Sequence, residues 1–172
     1  MMSLFLETKN LIINTPALSD FNDLYALQSD ADVMKYIGQG VRTEAEVLSG
    51  LEKAIAHYQK HNFSLGSVFA KESKVFVGRA GLIYLAYDDS QPDIEVGYAL
   101  TKNAWNKGYG TELARALIHW GFAHLEVEKL VGVINPNNER SQRVLEKAGM
   151  NYVGCSRYWN NEVSLYEIQK AV

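Results

Sequence analysis

Ile94-Glu95-Val96-Gly97-Tyr98-Ala99-Leu100 leads through Thr101-Lys102-Asn103-Ala104 into Trp105-Asn106-Lys107-Gly108-Tyr109-Gly110-Thr111. The first seven residues read as a strand whose alternation puts Glu95, Gly97 and Ala99 on one face. The glycine-rich turn then opens a helix running to about His124, with Leu113, Leu117, Trp120 and His124 on a shared face. Glycines at such a turn let backbone approach a ligand, and the first N–H groups of a helix lack internal partners. Together they favour an anion, most naturally a phosphate or pyrophosphate, with Lys107 and the Thr111 hydroxyl assisting. Taken alone, the same Gly-x-Gly also fits a plain turn entering a helix. A dinucleotide fingerprint is excluded because position 113 is leucine, and a Walker loop because no Gly-Lys-Ser/Thr closes the turn.

Outward from this segment the order is mixed α/β. Leu11-Ile12-Ile13 reads as a first strand, Ser19 as the cap of a short helix bearing Phe21, Leu24 and Tyr25, and Asp32 to Ile37 as a second helical turn. Thr43 and Glu46 form a capping box for a longer helix carrying Val47, Leu48, Leu51, Ile55 and Tyr58. Phe63–Ala70 and Val75–Leu85 read as a hairpin, followed by the loop Asp88–Pro92. After the central helix come a strand at Leu130–Ile134, a break at Asn135-Pro136-Asn137-Asn138, a helix at Ser141–Lys147 ended by Gly149, and a hairpin turning near Asn160-Asn161. An antiparallel meander followed by a strand–helix–strand unit predicts at least one parallel pair in one domain spanning residues 1–172.

Composition narrows the function. The 172 residues carry 17 Lys plus Arg against 20 Asp plus Glu, a net charge of −3. This gives no broad basic field for nucleic acid. No apolar run approaches the ~20 residues of a membrane span, and the start lacks the pattern of a secretory signal, so the expectation is a cytoplasmic protein without membrane partners. The single Cys155 excludes an internal disulfide; it reads as a packed thiol. His57 and His61, four apart, read as a solvated helical face, and no metal site is expected.

Several ordered segments carry a resemblance. They are Leu6-Glu7-Thr8-Lys9-Asn10-Leu11-Ile12-Ile13, Gly78-Arg79-Ala80-Gly81-Leu82, Glu95-Val96-Gly97-Tyr98, Trp105 to Glu112, Asn135 to Ser141, and Val144-Leu145-Glu146-Lys147-Ala148-Gly149-Met150. In this order they resemble the GNAT superfamily of acetyl-CoA-dependent N-acetyltransferases, and within it the Rim-type branch of ribosomal-protein N-terminal acetyltransferases. The resemblance implies a central, mostly antiparallel sheet flanked by helices and splayed between the fourth and fifth strands. It implies acetyl-CoA as cosubstrate, an amine acceptor that is a protein N-terminus or a small amine, and a homodimer as the family expectation. The superfamily loop Gln/Arg-x-x-Gly-x-Gly/Ala maps onto Trp105, Asn106, Lys107, Gly108, Tyr109 and Gly110, with amides from Lys107 to Thr111 holding the pyrophosphate. Trp105 departs from the Gln/Arg consensus. Backbone groups of Ala99, Leu100 and Thr101 would meet the pantetheine arm, one N–H serving the oxyanion.

The resemblance also implies chemical roles. An ammonium must lose a proton before attack, and Glu95 is the base that would accept it. The family's helix tyrosine, four residues before the terminal glycine, is here Leu145; Ser141 falls where the Rim-type branch places a serine near the sulfur. Asn135 and Asn138 would contact the cosubstrate, against a plain reading as turn and cap residues. Tyr84, Tyr87, Tyr158 and Trp159 would line the acceptor mouth or simply pack, and the loops around Tyr36–Val41 and Tyr84–Pro92 would recognise the acceptor. The chain's mild acidity suits a cationic acceptor. A rival reading, favoured by the absent helix tyrosine, is a CoA-binding sensor or interaction module without turnover.

Overall fold

A computed structural model describes residues 3–172. Eight strands form one sheet in the order β1-β2-β3-β4-β5-β6-β8-β7. They are β1 (Leu4–Glu7), β2 (Leu11–Asn14), β3 (Leu65–Ala70), β4 (Phe76–Tyr84), β5 (Ile94–Leu100), β6 (Lys129–Ile134), β7 (Asn151–Tyr158) and β8 (Asn161–Gln169). All neighbours are antiparallel except β5 and β6, which pair in parallel at Glu95 opposite Val131. Beyond that rung the two strands diverge. The split falls between the strands expected as fourth and fifth, now numbered one higher because β1 precedes Leu11–Ile13.

Helices cover both faces. On one lie α1 (Phe21–Gln28), α2 (Ala31–Met34) and α3 (Glu44–His61); on the other, α4 (Tyr109–His124) and α5 (Glu139–Lys147). The alternation of β5 sorts the two cores. Ile94, Val96 and Leu100 join Leu82, Leu113, Leu117 and Leu145 under α4 and α5. Ala99 faces Leu24, Leu27, Val47 and Leu51 of α1 and α3. Burying each such side chain contributes about 1.5–3 kcal/mol, so the split is a local opening in a well-packed sheet.

Local chemistry explains the element ends. Thr43 Oγ1 accepts from the Glu46 N–H at 3.2 Å while Glu46 Oε2 accepts from the Thr43 N–H at 2.8 Å, the expected capping box. Asp20, not Ser19, organises the entry to α1, its carboxylate accepting from the Ala17 N–H at 3.0 Å; a carboxylate reaches back where the shorter serine has no such bond. On α3 Val47 and Leu51 are buried, but Leu48 is exposed, one position off the buried stripe. Among the described residues no helix is long and apolar enough to cross a membrane.

Candidate active site

The glycine-rich turn occupies the N-terminus of α4. Asn106 (φ 61°) and Gly108 (φ 79°) are both left-handed, which reverses the chain and leaves Gly108 as an N-cap without a side-chain acceptor. The first intrahelical bond runs from the Glu112 N–H to Gly108 O at 3.1 Å, so the amides of Tyr109, Gly110 and Thr111 precede the helical ladder. A Cβ on Gly108 would meet nothing within 4 Å. That open, amide-lined surface, with exposed Lys107 beside it, fits a pyrophosphate. Gly110 is glycine for another reason: a Cβ there would lie 3.3 Å from Tyr98 Cε2 and from Val144 Cγ2. Glu112 ties this helix end to the first hairpin, accepting from the Thr8 hydroxyl at 2.7 Å and the Asn10 N–H at 2.7 Å.

Trp105 has a structural function that the consensus motif conceals. Its Nε1–H donates to Leu100 O at 3.0 Å, clasping the end of β5, and the Arg140 guanidinium lies 4.2 Å over its ring. Arg140 thereby brings a cation from α5 toward the turn, a contribution with no sequence signal because the two residues are 35 apart. Of the three backbone segments expected to face the pantetheine, the Thr101 N–H is committed to Val77 O at 2.9 Å. By the alternation of an antiparallel ladder, Ala99 then also turns toward β4, whereas Leu100 and Tyr98 turn toward the gap.

Glu95 stands at the root of the split, on the face covered by α1–α3. Three rungs of the β4–β5 pair make that face: Ile83 with Glu95, Gly81 with Gly97, and Arg79 with Ala99. The middle rung has no side chains. Glu95 leans along it, its Oε1 4.0 Å from where a Gly97 Cβ would stand. Burial pushes the Glu95 carboxyl up to about 7, against an opposing pull from Arg79. A carboxylate so placed is half-ionised near neutrality, as a general base requires.

The opposite face carries the hydroxyls. Tyr98 OH donates to Ser141 Oγ at 3.2 Å, and Asn138 Nδ2 donates to it at 3.0 Å. Asn138 Oδ1 accepts from the Ser141 N–H at 3.1 Å, making Asn138 the N-cap of α5 as its sequence setting suggests. Asn135 Oδ1 accepts from the Asn137 N–H at 2.9 Å and shapes the preceding turn. Leu145, at the position of the family's tyrosine, is buried in the core. Tyr98 supplies a phenol from β5 instead. Strand alternation alone places it opposite Glu95, but not beside Ser141.

Two expectations are corrected. His57 is buried, not solvated: its Nε2 accepts from the Tyr84 N–H at 3.1 Å, so the proton sits on Nδ1 and is donated to Phe63 O at 2.8 Å. Its place on the Val47–Leu51–Ala54 stripe of α3 puts it against the sheet. Cys155 is exposed, not packed, because it falls on the outward face of edge strand β7. Of the aromatics expected to line an acceptor mouth or simply pack, Tyr87 is held in a left-handed conformation (φ 58°) after Ala86 (φ 57°) and packs 5.6 Å from His57. The β7–β8 turn closes on the loop before α3 through Asn161 Nδ2 to Gly38 O at 2.9 Å and Gln39 Nε2 to Trp159 O. Among the described residues no group of three or more His, Cys, Asp or Glu could hold a metal ion.

A sheet split beside an amide-lined helix start, with a carboxylate and a hydroxyl pair on its two sides, defines an acyltransferase. The chain belongs to the GNAT acetyltransferases: the family model described as "Acetyltransferase (GNAT) domain" matches residues 10–151. It is 30% identical over 150 residues to an uncharacterized N-acetyltransferase of Bacillus subtilis, YnaD, covering 87% of this chain and 84% of that protein. A GNAT-family acetyltransferase from Bacillus anthracis has the same fold with a TM-score of 0.80 at 26% identity, covering 98% of both chains. RimL, the ribosomal L7/L12 α-N-protein acetyltransferase solved with coenzyme A, shares the fold alone, at 16% identity and a TM-score of 0.80 over 97% of this chain and 98% of RimL. The family uses acetyl-CoA.

Proposed function

We propose that this protein binds acetyl-CoA between α4 and α5 and transfers its acetyl group to a primary amine by direct attack within a ternary complex. When bound, the thioester supplies the activated acyl carbon. The amides from Lys107 to Thr111 hold the pyrophosphate, Lys107 and Arg140 add positive charge, and Asn135 and Asn138 border the arm. A gap-facing N–H of β5 stabilises the oxyanion. Glu95 takes the ammonium's proton and passes it to solvent; Ser141 gives a proton to the departing sulfur and is reprotonated by the second proton the nitrogen loses as the amide forms. The products are an amide, a thiol and one released proton. One observation carries this reading: Glu95 and the Tyr98–Ser141 pair flank the same opening from opposite faces.

The ordered motifs also support placement in the Rim-type branch, whose acceptors are protein N-termini. A panel of amines and N-terminal peptides with acetyl-CoA, followed by thiol release, tests the activity. Acceptor-dependent release is the expected result. Cosubstrate binding without it would establish the sensor or interaction module instead.

A further inference from the structure

We propose that the acceptor carries a carboxylate beside its amine, and that Arg79 and Arg42 hold this carboxylate in the cleft next to Glu95. The inference rests on the transferase reading above and narrows its substrate class.

Arg79 and Glu95 approach each other from the two ends of the side-chain-free rung made by Gly81 and Gly97. Arg79 is half-buried, yet its guanidinium makes no hydrogen bond or ion pair with any described residue; the molecule's ion pairs lie elsewhere. Arg79 lines a cavity of about 20 Å³ together with Ser67, Gln28 and Gly50. Arg42 borders the same cavity: its Nη1 would be 3.0 Å from a Cβ on Gly50, and its backbone N–H donates to Gln28 O at 2.9 Å. Its side chain likewise has no protein acceptor among the described residues. One further buried polar atom in this wall, Gln28 Oε1, has no hydrogen-bond partner among the described residues.

A half-buried guanidinium whose five donors have no protein acceptor is poised to take an anionic partner. A carboxylate matches the planar fork in a bidentate pair. Glu95 does not serve, because burial keeps it half-protonated near neutrality despite Arg79. Asp20, which lines the same cavity, is occupied by the Ala17 N–H and the Ser67 hydroxyl, and burial shifts it upward. The cleft therefore offers two positive charges against two carboxyls that burial shifts toward the neutral form, which disfavours polyamines and other cationic acceptors whatever the net charge of the whole chain. Anchoring the carboxylate near Arg79 sets its amine over Gly97, within reach of Glu95. Two sources share this chemistry: a free α-amino acid, and a peptide whose N-terminal residue is aspartate or glutamate.

Matched acceptors separate the outcomes. At fixed acetyl-CoA, kcat/KM is measured for L-phenylalanine against phenethylamine, and for a hexapeptide beginning with aspartate against the same peptide beginning with lysine. A preference of about 10-fold or more for the carboxylate member of either pair is expected, and the pair that shows it identifies the source. Arg79→Gln and Arg42→Gln should each reduce that preference about 10-fold, with partial recovery in Arg79→Lys. Arg42→Gln keeps the backbone bond to Gln28 and serves if Arg79→Gln does not fold. Turnover without carboxylate preference in both pairs, or a preference that survives both variants, overturns the proposal while leaving the transferase reading intact. If no acceptor turns over, the transferase reading fails. Thermal stabilisation of the CoA-saturated protein by the same four compounds then decides: a shift from a carboxylate member, lost in Arg42→Gln, supports the Arg79–Arg42 site, and no shift rejects it.

Discussion

The Tyr98 hydroxyl, on β5, donates to Ser141 Oγ, on α5, across the gap that opens between β5 and β6. Because Asn138 Oδ1 must accept from the Ser141 N–H, its amide nitrogen is the end that faces Ser141 Oγ. Two donors thus fill the lone pairs of Ser141, and its own proton is left to point away from both. That arrangement suits a group whose task is to hand a proton to a leaving thiolate.

Ser141→Ala should lower kcat about 100-fold, within the usual range for general-acid catalysis. Tyr98→Phe should lower it less, about 10-fold, because it removes a supporting donor and not the acid. Steady-state kinetics on the best acceptor checks both. Equal kcat in wild type and Ser141→Ala would remove Ser141 from the chemistry.

Glu95 gives a pH profile with a fixed sign. Only the carboxylate can accept a proton, and its pKa is raised by burial to about 7, so kcat/KM should rise with pH through an apparent pKa near 7. Glu95→Gln should lose at least about 100-fold at pH 7 and flatten that limb. Wild-type rates across the pH range in this variant would refute the assignment.

The same shift affects stability. A carboxyl with a folded pKa above its unfolded value binds more protons when folded, so stability falls as pH rises from about 4.5 to about 7. Above pH 7, Glu95→Gln should therefore be more stable than wild type. The expected gain is about 1–3 kcal/mol, allowing for the part of the side chain that reaches the cleft. Denaturant unfolding at pH 8 measures it.

The two glycines of the turn should fail differently. Gly108→Val forces a branched residue into a left-handed N-cap and covers the amides, so the KM for acetyl-CoA should rise about 10-fold or more. Gly110→Ala inserts a methyl 3.3 Å from Tyr98 and Val144, which should displace Tyr98 and lower kcat more than it changes KM. Substrate titrations on the two variants distinguish these effects.

His57 predicts an acid-labile joint. Burial lowers its pKa below the ordinary 6.5, with lesser opposing help from the Phe63 carbonyl. The unfolded chain then takes up the proton first, so stability is complete above pH 6.5 and declines as pH falls through the depressed folded value. His57→Ala should cost about 2–4 kcal/mol by stranding the Tyr84 N–H and the Phe63 carbonyl, and should weaken the acid-side decline. Thermal melts from pH 5 to 8 report both.

Much of the architecture was legible in short-range pattern. Period-two alternation over Ile94–Leu100, the Thr43–Glu46 box and the glycine turn before Tyr109 depend on residues a few positions apart, and local sterics and backbone hydrogen bonding dictate them. The same locality explains the errors. Leu4–Glu7 becomes a strand by pairing with β2, Cys155 is exposed because β7 ends the sheet, and His57 is buried because α3 turns that face inward. The resemblance carried by the ordered motifs implied a GNAT-like sheet and its split, and local pattern put Glu95 on a strand and Ser141 at the start of a helix. Folding alone set Tyr98 against Ser141, Arg140 over Trp105, and Arg79 with Arg42 beside an empty glycine rung. Those meetings span tens of residues, and they depend on strand register and helix packing, which no local spacing encodes.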